Sequence, residues 1–323
     1  MEIVVDKRTE LMGIVLALSQ SNEYIKEHFT FNITEEYRHR ALEHFSKFKN
    51  HKCIKLVREI AKTDIGFNFD NPIRLAFSLN NSLNFSGKIE KYLLDELENE
   101  DLIKEFLKAL VDFSKESEFI SFYNKNNSYY LSKIKEIENL FNDKNFTFEL
   151  HKFLKRKDDK KIQVNIIPML INANHGFENN NINIANIGLL SENFKEIEQF
   201  NNQYINIIIH EICHCYVNAN TQNKKLQIPE ELKTILKNYG YNNHISYLND
   251  TIVRAMTIRL VEKIKNIEVE KIINKEANFG FIYVKDVYQA ILKYEEQDLC
   301  WEDYFPQLIS FINCYDEQNI IKH

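Results

Sequence analysis

The sequence predicts an α+β protein that is predominantly helical. Three observations carry this. The chain has only 7 Gly and 4 Pro in 323 residues. Apolar residues recur at helical spacing through the first 150 positions, and a short stretch after residue 160 alternates apolar with polar. Gly and Pro punctuate helices, so their scarcity leaves room for long ones. The change of pattern near residue 150 divides the chain into an N-terminal helical region, residues 1–150, and an α+β region, residues 151–323.

The elements follow in order. Leu11, Ile14, Val15 and Leu18 share one face of a helix over residues 10–20. Thr34 is a plausible N-cap for a second helix, which runs through Ala41, Leu42, Phe45 and Phe48. Ile54 to Ile60 and Pro72 to Leu79 read as short helices. Helical spacing returns from Ile89 to Phe113 and from Phe119 to Phe141. Ile162, Val164 and Ile166 then alternate with Gln163 and Asn165, as in a half-buried strand. Met169 to Ile171 and Ile182 to Ile187 are two further strand candidates, separated by the turn-rich stretches Asn172 to Gly176 and Glu178 to Asn181. Helices resume near residues 200–218, 229–238, 246–266, 284–297 and 304–315.

Composition narrows the class of function. A chain that is 44% hydrophobic and 27% charged fits a folded, water-soluble protein. The net charge is −6, and no basic stripe stands out. The run from Lys152 to Lys161 contains Asp158 and Asp159 and reads as a solvated loop. Phosphate binding needs concentrated positive charge, so a nucleic-acid partner is not expected. No apolar run approaches the length of a membrane span. The apolar stretch Leu11 to Leu18 follows Glu2, Asp6 and Glu10 and precedes no small-residue cleavage site, so it reads as a helix rather than a signal segment. The five cysteines (Cys53, Cys213, Cys215, Cys300 and Cys314) are odd in number and form no CxxC pair. That favours reduced thiols and a cytoplasmic setting.

The chemistry concentrates in His210, Glu211, Ile212, Cys213 and His214, an H-E-x-x-H segment. Residues four apart on a helix lie on one face, so His210 and His214 can aim imidazoles at one ion. Zn2+ takes neutral imidazole, and catalytic sites pair three protein ligands with a water. Glu211, next to the first ligand, is placed to reach that water rather than the metal. Zinc lowers the water's pKa, and Glu211 would take its proton as general base. Ile205, Ile208, Ile209 and Ile212 make the helix semi-buried. Burying two His and a Glu without partners would be costly, which argues against incidental surface histidines.

The third ligand is open on spacing alone. A third His six residues after His214 is absent, since that position is Asn220, and Val217 replaces the glycine of that extended motif. Carboxylates offer the alternative. Glu230 and Glu231 follow Pro229, where N-terminal helix charge is the stronger explanation of them. Asp250 enters an apolar helix through Ile252, Val253, Met256 and Leu260, and could otherwise cap it.

Three stretches resemble a bacterial family of gluzincin-like zinc metallopeptidases of the zincin clan, carried as a domain of unknown function. They are Val5 to Leu11 with Ile14, Val15 and Leu18; His210 to Asn218; and Asp250 to Ala255. The resemblance implies a zincin-like catalytic region and assigns the third ligand to Asp250. The family pattern is expected to carry Glu there. Asp is one methylene shorter, so the helix must come closer or a water must bridge.

Other residues have competing readings. Arg254 lies one turn after Asp250 and can orient it, bind a substrate carboxylate, or form an ordinary ion pair. Asn218 reads as a helix C-cap or a partner of His214. Cys213 and Cys215 read as core thiols. His175 reads as a loop residue, or as a substrate contact beside an edge strand. His244 and Tyr283 are candidates for polarising a carbonyl. The function expected is zinc-dependent hydrolysis of peptide bonds in a peptide or protein substrate. The alternatives are a non-catalytic binding protein on a zincin scaffold, or a zinc hydrolase of another amide or ester.

Overall fold

The computed structural model describes residues 1–19, 36–68, 70–141, 145–155, 160–171, 173–189, 197–221 and 244–319. At the centre of the site-bearing half lies a four-stranded mixed sheet. Its strands are β1 (Glu2–Val4), β2 (Lys161–Ile171), β3 (His175–Asn179) and β4 (Ile182–Leu189), in the order β1-β2-β4-β3. β1, β2 and β4 are parallel; β3 runs antiparallel to β4 and forms one edge. The two-residue turn between β3 and β4 is Asn180–Asn181, both at positive φ (50° and 63°). Asn tolerates that region, and such turns match the twist of a hairpin.

The helices before the sheet are α1 (Lys7–Ser19), α2 (Glu36–Phe45), α3 (Lys52–Thr63), α4 (Asn71–Leu75), α5 (Lys91–Glu96), α6 (Glu100–Glu116), α7 (Phe119–Lys125), α8 (Asn127–Phe141) and α9 (Phe146–Leu154). After it come α10 (Ile197–Thr221), α11 (His244–Ile264), α12 (Val269–Asn278), α13 (Val284–Glu295) and α14 (Trp301–Asn319). The chain is thus mostly helical with one small sheet, an α+β protein.

The pleat sorts the layers. Paired residues share a face and neighbours alternate. Asn165, Asn186 and His175 are register partners across β2, β4 and β3 and face α1, because Asn165 bonds Thr9. Val164, Ala185 and Gly176 point the other way, toward α10. α10 is sandwiched between the sheet and α11, with Ile205, Ile208, Ile209 and Ile212 fully buried. α13 packs behind α11. α1 is apolar nearly all round and buried from Thr9 to Ala17. At Gly13 an added Cβ would stand 3.1 Å from the Met169 Cβ.

Several expectations change. β1 is too short to reveal itself by alternation; it places one strand from before residue 150 in the same sheet as the rest. Met169 to Ile171 is the end of β2, not a separate strand. Pro168 lacks an N–H, and the pairing with β4 is irregular between Ile167 and Ile171. The expected 89–113 helix breaks into α5 and α6: Asn99 accepts from Leu102 N–H at 3.0 Å to start α6, and Glu98 N–H is taken by Asp64 at 2.8 Å. The 119–141 helix breaks at Asn126. α9 and α12 appear where no helix was expected. Lys152 lies in α9 and Lys161 opens β2, so the basic run is not one loop. Thr34 and the 229–238 helix lie outside the described residues. No helix among the described residues is long and apolar enough to cross a membrane.

Candidate metal centre

His210 and His214 stand one turn apart on α10, and Asp250 lies on the first turns of α11. The structure brings these three together. His210 Nε2 and His214 Nε2 are 3.1 Å apart. Asp250 Oδ1 is 3.2 Å from the first and 3.6 Å from the second. Ligands held about 2.05 Å from a tetrahedral ion are separated by about 3.3 Å. The three observed separations bracket that value, so the triangle has the size an ion of this kind requires. Two imidazoles and a carboxylate also match the donor set that zinc accepts. The group is largely buried yet open at one side: the side chains of His210, His214 and Asp250 are 20%, 18% and 10% exposed. Asp250 reaches the pair directly, so the shorter side chain is met by close approach of α11 to α10.

The ligand atoms are aimed by a surrounding shell. Asn218 Oδ1 lies 3.2 Å from His214 Nδ1. A carbonyl oxygen accepts, so Nδ1 carries a proton and Nε2 is the nitrogen turned to the site, able to face an ion once it gives up its own proton. Asn218 lies inside α10, which runs on to Thr221, so it is not a C-cap. Arg254, one turn past Asp250, donates from Nε and Nη2 to Asp250 Oδ2 at 3.0 Å each. That ties up one carboxylate oxygen and leaves Oδ1 for the histidines. Arg254 is itself held by Glu276 of α12 at 2.6 Å and lies over the Phe281 ring at 3.9 Å. Phe281 stacks on Tyr247, whose hydroxyl donates to Gly280 O at 2.8 Å. Glu276 and Phe281 were missed from sequence. The signal for α12 was present in the helical spacing of Val269, Ile272 and Ile273.

The electrostatics favour a bound cation. Burial alone would lower the His214 pKa, but the hydrogen bond to Asp250 and the charge of Glu211 outweigh it and raise it to about 9. Asp250 shows the converse. Burial pushes it up, and His210, His214 and Arg254 hold it well below the usual carboxylate range. A proton is thus bound strongly where a metal would compete for it. Glu211 is 7% exposed, and burial raises its pKa while His214 and His210 pull against that.

The wall beside α10 is β3. A Cβ on Gly176 would stand 1.7 Å from the Glu211 carbonyl oxygen, so only glycine lets strand and helix approach this closely. His175 therefore sits in an edge strand, not a loop. It is 7% exposed and stacked on Phe177 at 5.5 Å. Cys213 and Cys215 are buried core thiols whose pKa values burial pushes up. Cys215 Sγ points at the carbonyls of Phe177 and Ile184, away from the metal group. Glu230, Glu231 and the His244 side chain lie outside the described residues. Tyr283 is the residue that precedes α13.

A family model described as a domain of unknown function (DUF4932) matches residues 1–311. No curated protein and no solved structure matches the chain.

Proposed function

We propose that this chain, which belongs to the DUF4932 family, is a zinc-dependent metallopeptidase with a zincin-like, gluzincin-type site. The observation that carries the reading is the convergence of His210 Nε2, His214 Nε2 and Asp250 Oδ1 at ligand-to-ligand spacing, with Glu211 buried beside them. Zinc, when bound, supplies Lewis acidity that polarises a carbonyl and acidifies water. His210 and His214 would hold it through Nε2 and Asp250 through Oδ1. Asn218 and Arg254 keep those atoms aimed.

Glu211 is the proton acceptor. Among the described residues no hydrogen bond is made to its carboxylate, and its raised pKa brings it nearer the working pH of a general base. It takes the proton from the attacking water and passes it to the departing amine. β3 supports a peptide as substrate. Among the described strands it pairs with β4 alone, so its outer edge offers main-chain groups to an extended peptide along the metal helix.

The test has two readings. Purified protein is expected to hold about one zinc per chain, and Glu211→Gln is expected to keep the metal while abolishing hydrolysis of a denatured protein substrate. A folded chain that takes up no zinc would refute the reading. Zinc uptake with hydrolysis of other amides or esters, but no peptide, would move the activity to the wider class of zinc hydrolases.

A further inference from the structure

A polar cavity lies on the face of the sheet turned away from the metal group. Gln163 and Ile184 form part of its floor. They are register partners, and Gln163 stands two residues before Asn165, so both face the α1 side, opposite α10. The cavity has two lobes, of about 540 Å³ and 460 Å³, which share Arg8, Phe77, Asn81 and the Asn179–Asn180 turn. Either lobe alone falls within the size of small-molecule sites, about 300–1,000 Å³.

Two arginines line this space, and aromatic rings hold both. The Arg74 guanidinium lies 4.1 Å from the centre of the Tyr92 ring and 4.7 Å from that of Phe177. That of Arg8 lies 4.5 Å over Phe77, and Phe77 meets Phe177 edge-on at 5.5 Å. Each arginine commits its Nε and Nη2 edge to a carboxylate. Arg74 donates from Nε to Glu90 Oε2 at 2.8 Å and from Nη2 to Oε1. Arg8 donates from Nε to Asp6 Oδ1 at 2.9 Å and from Nη2 to Oδ2 at 2.5 Å. Nη1 is left over on both. On Arg74 it makes no hydrogen bond among the described residues, and on Arg8 it reaches only Leu79 O, at 3.4 Å. These are stiff donors with N–H groups to spare, as an oxyanion receptor requires.

The charge agrees. The lining carries Lys7, Arg8, Arg74 and Lys88 against Asp6 and Glu90, a positive balance in a chain whose net charge is −6. Lys88 is exposed at the rim and makes no ion pair among the described residues. Asn80 Oδ1 accepts the N–H groups of Ser82 at 2.9 Å and Asn84 at 3.0 Å, which pins the loop that forms one wall. Amides of Asn81, Asn84 and Asn180 add neutral donors and acceptors. A bare inorganic anion would leave most of the volume to water.

We propose that this cavity binds a small organic anion, whose carboxylate or phosphate group is received by the Nη1 edges of Arg8 and Arg74 while its polar body meets the asparagine amides. The site is separate from the metal group and does not rest on the peptidase reading.

Isothermal titration calorimetry on the full chain tests it, with glutarate as the carboxylate probe, glucose 6-phosphate as the phosphate probe, and glucose and sodium chloride as controls. At least one anion is expected to saturate one site per chain with a Kd below about 1 mM, and the tighter of the two names the anionic group. Glucose and chloride are expected to give no saturable heat. Arg74→Gln is expected to weaken binding about tenfold or more, the loss of a charge-assisted hydrogen bond. Lys88→Gln is expected to weaken it about two- to threefold, as befits an exposed charge. Lys88→Gln leaves the aromatic cluster untouched, so it separates a lost ligand contact from a lost fold, and the Tm of each variant is measured alongside. His210→Ala is expected to bind the anion as wild type does. Binding of neither anion, unchanged affinity in both Arg74→Gln and Lys88→Gln, saturation by chloride, or loss of binding in His210→Ala overturns the site. Peptide hydrolysis, found or not, leaves this result unaffected.

Discussion

Gly176→Ala probes the junction on which the metal site rests. The added Cβ would stand 1.7 Å from the Glu211 carbonyl oxygen, 2.7 Å from its carbon and 3.1 Å from the His214 Cβ. An ordinary C···O contact is about 3.3 Å or more, so strand and helix must separate by about 1.5 Å. The nearest colliding atoms are backbone, so no side-chain rotation relieves them. β3 is held to β4 through five registered pairs, and α10 is clamped between the sheet and α11. Overpacking of cores costs about 1–3 kcal/mol, and a backbone-on-backbone clash belongs at or above the top of that range. Alanine's smaller unfolded-state entropy returns about 0.4–1 kcal/mol. The net is a destabilisation of about 3 kcal/mol, or a fall in Tm of roughly 6–12 °C. Calorimetry and urea unfolding of the full chain measure it. Because the displaced backbone carries Glu211 and His214, zinc affinity is expected to fall as well. A Tm within about 2 °C of wild type, with zinc binding unchanged, would refute the close approach.

Two further outcomes follow from the surroundings of the site. Arg254→Met removes both hydrogen bonds to Asp250 Oδ2 and frees the carboxylate to turn; zinc affinity is expected to drop about 10–100-fold in chelator competition, and a change below twofold would argue against this aiming role. His175 makes stability depend on pH. Its folded pKa, about 4, lies below the ordinary histidine value of about 6.5. The unfolded chain therefore binds the extra proton between those values, and stability rises with pH across that window. Relative to His175→Asn, wild type is expected to lose roughly 3 kcal/mol between pH 7 and pH 4, read from urea unfolding at both values; parallel losses in the two proteins would contradict a buried neutral imidazole.

The metal helix was legible in the sequence because everything it needs is local. His210 and His214 are one turn apart on any α-helix, and the isoleucines around them announce burial within a single window. The same locality made α1, α3 and β4 readable from their periodicity. Asp250 was reachable as a candidate and stood ahead of Glu230 and Glu231, but spacing could not assign it, since nothing local says which later helix turns toward α10. Short or irregular elements escaped for a related reason. β1 has three residues, too few to alternate, and β3 begins with His175 and Gly176, which read as turn.

What the sequence determined by itself was therefore the chemistry on one helix: two imidazoles and a carboxylate in the order that a metal hydrolase uses. Tertiary structure alone decided the rest. The α10–α11 contact brings Asp250 Oδ1 to 3.2 Å and 3.6 Å from the two histidines, and α12 supplies the Glu276 that steadies Arg254. The sheet joins Asp6 to Asn165, 159 positions apart in the chain. Periodicity encodes which face of an element is buried, but not which other element will cover it. The pairing of faces is settled by packing of the whole chain, and the approach of Asp250 to the two histidines depends on that pairing.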